Sequence, residues 1–261
     1  MKISLITVCY NRKKTIEQSI KSVLNQDYAN IEYIVIDGNS KDGTQEIIKS
    51  YSDKITHYIS EPDKGMYDAI NKGLKLATGN VIGLMHSDDV FYDENVVSKI
   101  VDAFKKNNTI DAIYGNGIYI TNNTKQKIVR TRIGGKYDYK KLNRGWLPLH
   151  PTVYIKKAII ERYGNYNLKF KIGSDTEFLL RYLYKYKINI HYLNLYIVKM
   201  RMGGLSTSYQ RAFEVLIEDY KIYKFHHLSA VKAVFQKKFL ALTQYLHTRD
   251  MFFFILILLN R

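Results

Sequence analysis

Over its first hundred residues the chain alternates between short apolar runs and segments with helical apolar spacing, a pattern that few folds accept. Ile3–Cys9, Tyr33–Ile36, Ile55–Ile59 and Val81–Met85 read as buried strands. Between the first two, Ile16, Ile20, Val23 and Leu24 recur at i, i+4, i+7 and i+8, the stripe of an amphipathic helix. Gly43-Thr44 opens a second helix with Ile47 and Ile48 inward. Met66–Ala77 forms a third, closed by Gly79 as C-cap, and Val96–Phe104 a fourth. Strand alternating with helix predicts an α/β sheet with parallel strands.

The pattern changes after Asp111. Ala112–Tyr114, Gly117–Thr121 and Lys127–Ile133 read as short strands, and Lys156–Tyr163 and Asp175–Tyr186 as helices. Ile188–Met200 is strand-like, and the pattern is helical from Tyr209 to about His247. The expected organisation is a main domain over 1–208, with a ligand-binding half (1–110) and a second half (111–208), followed by a helical extension (209–261).

A chain of 261 residues can bury a full core. Its lone cysteine, Cys9, excludes a disulfide or cysteine zinc framework within one chain, which suits a reducing compartment. The N-terminus enters a strand without the basic and apolar regions of a secretory leader. No apolar run reaches the roughly 18 residues that span a bilayer. A cytoplasmic location is therefore expected. The net charge of +16 suits nucleic acid, an anionic membrane or a phosphorylated substrate, or reflects a bias toward Lys, Ile, Asn and Tyr.

In an open α/β sheet, ligands bind beyond the carboxyl ends of the strands. Here those ends are polar. Thr7–Asn11 closes the first, with Tyr10 placed to stack on a flat base. Asp37 closes the second, followed by Gly38, Ser40 and Asp42-Gly43-Thr44. Glu61, Asp63 and Lys64-Gly65 follow the third, and Ser87, Asp88 and Asp89 the fourth. Two adjacent carboxylates at the end of a buried strand call for a cation, and hard oxygen ligands suit Mg²⁺ or Mn²⁺ carrying a diphosphate. The plainer alternative is a solvated loop start with Asp89 capping the next turn. The first strand-to-helix turn, Cys9-Tyr10-Asn11-Arg12-Lys13, has no glycine, which excludes both a dinucleotide fingerprint and a phosphate loop. A diphosphate would then be held by metal and basic side chains. Lys64 is the candidate contact, or else a solvated turn lysine.

These segments resemble the family 2 glycosyltransferases. The resemblance rests on Thr7-Val8-Cys9-Tyr10-Asn11, on Val35-Ile36-Asp37-Gly38-Asn39-Ser40-Lys41-Asp42-Gly43-Thr44, on Asn71-Lys72-Gly73 with Ala77-Thr78-Gly79, and on Ser87-Asp88-Asp89. Glu61-Pro62-Asp63-Lys64-Gly65-Met66-Tyr67-Asp68-Ala69 is similar to the subgroup that builds bacterial capsule, O-antigen and exopolysaccharide. The resemblance implies a GT-A fold, a Rossmann-like mixed sheet flanked by helices. It also implies a nucleotide-diphosphate sugar donor, with a family preference for UDP, and a divalent metal. Transfer would invert the anomeric carbon in one in-line displacement. Carried over by residue, Thr7 and Tyr10 contact the base and Asp37 accepts from a base N–H. Asn11, Asp68 and Ser87 fall in the donor-side motifs. Asp88 lies near the ribose or metal, and Asp89 ligates the metal. Where the family often has a third acid, two residues before Asp88, this chain has His86, also able to ligate Mn²⁺.

Inversion needs a base to deprotonate the acceptor hydroxyl. Gly173-Ser174-Asp175-Thr176-Glu177-Phe178 resembles the family's position for it, with Asp175 as candidate and Glu177 in reserve; Ser174 or Asp175 serving as an N-cap is the alternative. Leu149-His150-Pro151-Thr152 is similar to an acceptor-side segment, or is a turn before a strand. Trp146 reads as a sugar platform or a partly buried core residue. Gly203-Gly204-Leu205-Ser206 resembles a loop near the diphosphate, or is a connector.

From Lys221 to Arg261, seven Lys and Arg face one acid, Asp250, with aromatics interleaved, and Met251–Leu259 is continuously apolar. That suits a membrane interface, peripheral at the inner face of the plasma membrane and beside a polyprenyl-diphosphate-linked or glycan acceptor. Packing on the core or a dimer contact is the alternative. Two other functions remain in view. A nucleotidyltransferase would need a basic, glycine-rich loop after the first strand. A nucleic-acid-binding protein would need a recognition motif, and no specific nucleic acid is expected.

Overall fold

The computed structural model describes residues 1–121, 127–202 and 212–237. The chain begins with β1 (Ile3–Cys9), α1 (Ile16–Leu24), β2 (Ile31–Asp37), α2 (Thr44–Lys49), β3 (His57–Ser60), α3 (Met66–Leu76) and β4 (Val81–Leu84). These are the alternating elements read from the sequence. β1 pairs in parallel with β2 on one side and β4 on the other, and β2 with β3. The chain therefore reverses direction across the sheet between β1 and β4, the switch point beyond whose strand ends such sheets bind ligands.

The second half continues the sheet with mixed polarity. β5 (Val90–Phe91) and α4 (Val96–Lys106) precede β6 (Ala112–Ile120), β7 (Ile128–Arg132) and α5 (Tyr139–Leu142). β8 (Tyr154–Lys156), α6 (Lys157–Tyr163), α7 (Ser174–Leu180), β9 (Ile190–Arg201) and α8 (Ala212–Phe225) follow. Among the described residues the order is β3-β2-β1-β4-β8-β6-β9-β5, with β7 paired to β6.

Period-two alternation explains the layering. Ile6 and Val8 of β1 and Ile34 and Ile36 of β2 join a core with α3, α7 and α8. Ile3, Leu5, Cys9, Tyr33 and Val35 join a core with α1, α2 and α4 on the other face. In α4, Val96, Val97, Ile100, Val101 and Phe104 are buried, each worth roughly 1.5–3 kcal/mol. Gly83 of β4 admits no side chain, since a Cβ there would lie 2.1 Å from the Tyr154 ring of β8.

Several boundaries differ from the sequence reading. The two short strands expected over 112–121 are one strand, β6, whose register against β9 shifts around Asn116. The helix expected to run to Tyr186 ends at Leu180 and passes into a π-helical turn, Arg181–Lys185. β5 was not anticipated, and β8 follows the 149–152 turn, as the plainer reading of that segment had it. The long C-terminal helix is broken: α8 ends at Phe225 and residues 230–237 form a second helical stretch. Ile222, Tyr223, Ala230 and Ala233 from these helices are buried in the α3–α7 core. Gly203-Gly204-Leu205-Ser206 and Met251–Leu259 lie outside the described residues.

Candidate active site at the strand ends

In-register pairing of Cys9 with Asp37 brings the ends of β1 and β2 side by side. Gly38 N–H donates to the Cys9 carbonyl at 2.9 Å, and Asn11 N–H to Ser40 Oγ at 2.8 Å. The Asn11 side chain accepts from Lys41 N–H at 2.9 Å, so Asn11, with φ of 52°, ties the two loops together. Tyr10 stands above this junction and is 61 % exposed, an open ring face at the cleft.

Two expected base contacts are corrected. Thr7 is fully buried, and its hydroxyl accepts from Tyr33 at 3.1 Å. Strand alternation turns its side chain into the α1 face of the sheet, with Ile3, Leu5 and Cys9. Asp37 is also fully buried. Its oxygens accept from Ser40 N–H at 3.0 Å, from Ser40 Oγ and from Ser60 Oγ at 2.6 Å, so it organises the loop and is left with nothing to offer a base. Asp68 accepts from Lys64 N–H at 3.0 Å, fixing the turn into α3, and Lys64 itself is exposed.

The β4 end holds the acid pair. Ser87 and Asp89 are buried, while Asp88 is half-buried. Burial, then the neighbouring Asp88 charge, pushes the Asp89 carboxyl well above the usual range, offset by the backbone N–H and charge of Arg201 at the end of β9. His86 turns elsewhere: its ring centroid lies 5.9 Å from that of His150. Its acidity is set by burial, which lowers its pKa, against Asp88 and Asp175, which raise it. The expected trio of His86, Asp88 and Asp89 therefore does not form a cage. Among the described residues no three His, Cys, Asp or Glu side chains gather as metal ligands. What remains is a buried carboxylate short of positive charge beside a second acid. This fits a cation held by one or two carboxylates and completed by substrate phosphates.

The opposite wall comes from the second half. His150 opens a 3-10 turn (His150–Thr152), and its Nε2 lies 2.7 Å from the Tyr166 hydroxyl. Burial lowers its pKa to about 4 despite Asp175 nearby. Asp175, in the first turn of α7, is half-buried and accepts from Thr176 N–H at 2.7 Å. The Tyr67 hydroxyl from α3 lies 3.2 Å from Asp175 Oδ1 and donates to the Ile172 carbonyl at 2.6 Å. Glu177, the reserve base, is buried in an ion pair with Arg181 at 3.1 Å and holds the core together. Trp146 is half-buried, edge-on to Tyr114 at 5.8 Å, and packs on the core.

Sequence reasoning missed two supports. Glu218 of α8 accepts from the N–H groups of Lys171, Ile172 and Gly173 at 2.8, 2.6 and 2.5 Å, clamping the loop that leads into Asp175. Lys237 bonds Asp219 at 2.7 and 2.9 Å and Thr176 Oγ1 at 3.2 Å. Nothing local in the sequence marks either one, because both act across tens of residues.

This fold, with acids at the β4 end facing a cleft walled by the second half, is that of the GT-A glycosyltransferases. A solved structure of Staphylococcus aureus TarS 1-349 in complex with UDP-GlcNAc superposes with a TM-score of 0.63 at 19 % identity, covering 85 % of this chain and 65 % of that one. This chain spans 39 % of the longer TarS chain. The mannosyltransferase PcManGT from Pyrobaculum calidifontis, in complex with GDP-Man and Mn²⁺, superposes at 0.62 with 16 % identity, over 98 % of this chain and 78 % of that one. An uncharacterised glycosyltransferase of Mycobacterium tuberculosis is 30 % identical over 183 residues, 69 % of this chain and 68 % of the relative. A PGL/p-HBAD biosynthesis glycosyltransferase of Mycobacterium bovis is 23 % identical over 78 % of this chain and 79 % of that relative. Residues 4–168 match glycosyl transferase family 2, and the chain belongs to that family. It is a glycosyltransferase enzyme.

Proposed function

We propose that this enzyme transfers a sugar from a UDP-sugar to a glycan or polyprenyl-diphosphate-linked acceptor, with inversion and with a divalent metal. The observation that carries the reading is the convergence of the β4 end with Asp175 and His150. His86 carries the influence of both Asp88 and Asp175 and faces His150 across the cleft.

In this reading Tyr10 stacks on the base, and Asp89, with Asp88, holds Mn²⁺ or Mg²⁺. The bound metal supplies charge stabilisation at the departing diphosphate. Asp175 takes the proton of the acceptor hydroxyl as its oxygen attacks the anomeric carbon, and the bond to the diphosphate breaks on the opposite face. Tyr67 positions Asp175. His150 and Trp146 belong to the acceptor side, and Lys64 to the diphosphate side. Residues 1–110 serve the donor and 111–208 the acceptor, while 209–261 extend the domain toward a membrane. The exposed Phe213, Ile217 and Tyr220, at i, i+4 and i+7 on α8 beside Lys221 and Lys224, support contact with an anionic surface. The proposed location is the inner face of the plasma membrane. No helix among the described residues is long and apolar enough to cross a membrane.

The test is nucleotide release from a panel of nucleotide sugars, with Mn²⁺ and with EDTA. Release from one UDP-sugar that stops with EDTA and in Asp89→Ala is expected. Equal release with EDTA would overturn the metal assignment, and no release from any donor would overturn the transferase reading.

A further inference from the structure

β7 ends on an arginine that lacks a counter-charge. Arg132 is half-buried, and its Nη2 donates to the Leu147 carbonyl at 2.9 Å. Among the described residues it makes no ion pair. Burial lowers its pKa, and the charge of Arg130, two residues back on the same face of the strand, adds to the lowering, offset in part by the Tyr119 and Tyr223 phenols. A guanidinium carries N–H donors on three nitrogens, and the Leu147 carbonyl engages one of them. Arg181 shows the contrast: it too bonds loop carbonyls, but Glu177 closes it at 3.1 Å.

A second unmet group lies in the same neighbourhood. Tyr223 of α8 is fully buried, and its hydroxyl has no hydrogen-bond partner among the described residues. Burial raises its pKa, and the charges of Asp219, Asp175 and Arg132 all act on it. Asp219 is met by Lys237, and Asp175 by the Thr176 N–H and the Tyr67 hydroxyl. The arginine has no opposite charge and the hydroxyl no acceptor. Both deficits are costly inside a protein. One oxyanion would remove both.

The donor set says which kind. A carboxylate offers two coplanar oxygens, which a guanidinium fork takes up by itself. A phosphate offers a further oxygen out of that plane, free for a separate hydroxyl. We propose that Arg132 and Tyr223 form an anion subsite that holds a phosphate of the acceptor beside Asp175. The phosphate serves there as a handle; the acceptor hydroxyl still gives its proton to Asp175. The net charge of +16 is in keeping with an anionic substrate. This rests on the transferase reading above and narrows its acceptor from any glycan to one that carries phosphate.

The test is calorimetric titration of the full chain, its donor side first filled with UDP and Mn²⁺, against geranyl diphosphate, inorganic pyrophosphate and geraniol. Geranyl diphosphate should bind and geraniol should not. Pyrophosphate binding as tightly as geranyl diphosphate would assign recognition to the phosphate alone, and a tighter geranyl form would add a lipid contact; both support the subsite. Arg132→Gln should weaken the diphosphate about tenfold or more, the scale of a hydrogen bond to a charged group, with UDP affinity unchanged. Tyr223→Phe is the sharper variant and stands even if Arg132→Gln misfolds. It removes a hydroxyl that bonds nothing among the described residues, so the urea midpoint should hold or rise while diphosphate affinity falls about threefold or more. Unchanged diphosphate binding in either folded variant would overturn the inference. So would geraniol binding as tightly as the diphosphate, or wild type binding UDP but neither diphosphate. Wild type failing to bind UDP would sink the donor reading itself and this inference with it.

Discussion

Asp175 and His150 show how neighbouring residues divide their work. Asp175 is half-buried and meets the Tyr67 hydroxyl, whereas Glu177, two residues on, is locked to Arg181. Asp175→Asn should lower the transfer rate by about 10²–10⁴-fold with UDP affinity unchanged, as removing a general base does; steady-state rates alongside calorimetry check both halves. His150 gives a pH signature. Its pKa falls from 6.5 in the unfolded chain to about 4 when folded, so between those values the unfolded state binds more protons. Stability should therefore fall as pH drops from 6.5 to about 4, by at most about 3 kcal/mol from this residue. Urea unfolding at pH 7 and pH 4.5 should show a smaller loss in His150→Gln. At this scale the sequence was partly legible. Tyr10, Asp88 and Asp89 follow strand ends and Asp175 opens a helix, as the alternation predicted. Thr7 and Asp37 were misread because a strand's alternation and a loop's internal hydrogen bonds decide whether a polar group faces a ligand.

Among the elements, local periodicity carried β1 to β4 and α1 to α4, where the strands are mainly apolar and the helices show their stripes, but it missed β5. β8, foreseen only as the strand after the 149–152 turn, has three residues that pair with β4 and β6 at two positions each. Such a strand exists because its neighbours demand it, as the Tyr154 ring against Gly83 shows. Periodicity also failed at Leu180, where the apolar pattern continues but the backbone widens into a π turn. α8 joins the acceptor side through Glu218. Glu218→Ala would leave three loop N–H groups without their acceptor and should cost about 1–3 kcal/mol of stability. It should also lower the transfer rate about tenfold or more, since a slightly displaced base is costly, while UDP affinity holds. Chemical denaturation and the split between rate and affinity test this.

For the molecule as a whole, the sheet class followed from alternation, and the GT-A identity from motifs spread over β1 to β4. The wall proposed for the acceptor was less legible because it is assembled from residues 67, 150, 166 and 175, which no single window contains. The charge of +16 belongs to this scale too. Binding to anionic vesicles should weaken as salt rises. Deleting the residues after Asp250 should shift the protein from the vesicle pellet to the supernatant while donor hydrolysis continues; unchanged partitioning would refute the membrane contact.

The clamp from Glu218 also bears on how the enzyme comes into being. Strands β1 to β5 are complete by residue 91, but the loop before Asp175 receives its anchor from a helix made more than forty residues later. On the proposed roles, a nascent chain emerging from the ribosome carries its donor side early and the loop before Asp175 untethered. If Asp175 is the base, competence should await the docking of α8, so a prematurely ended chain that still binds nucleotide should be poorly equipped to spend the donor.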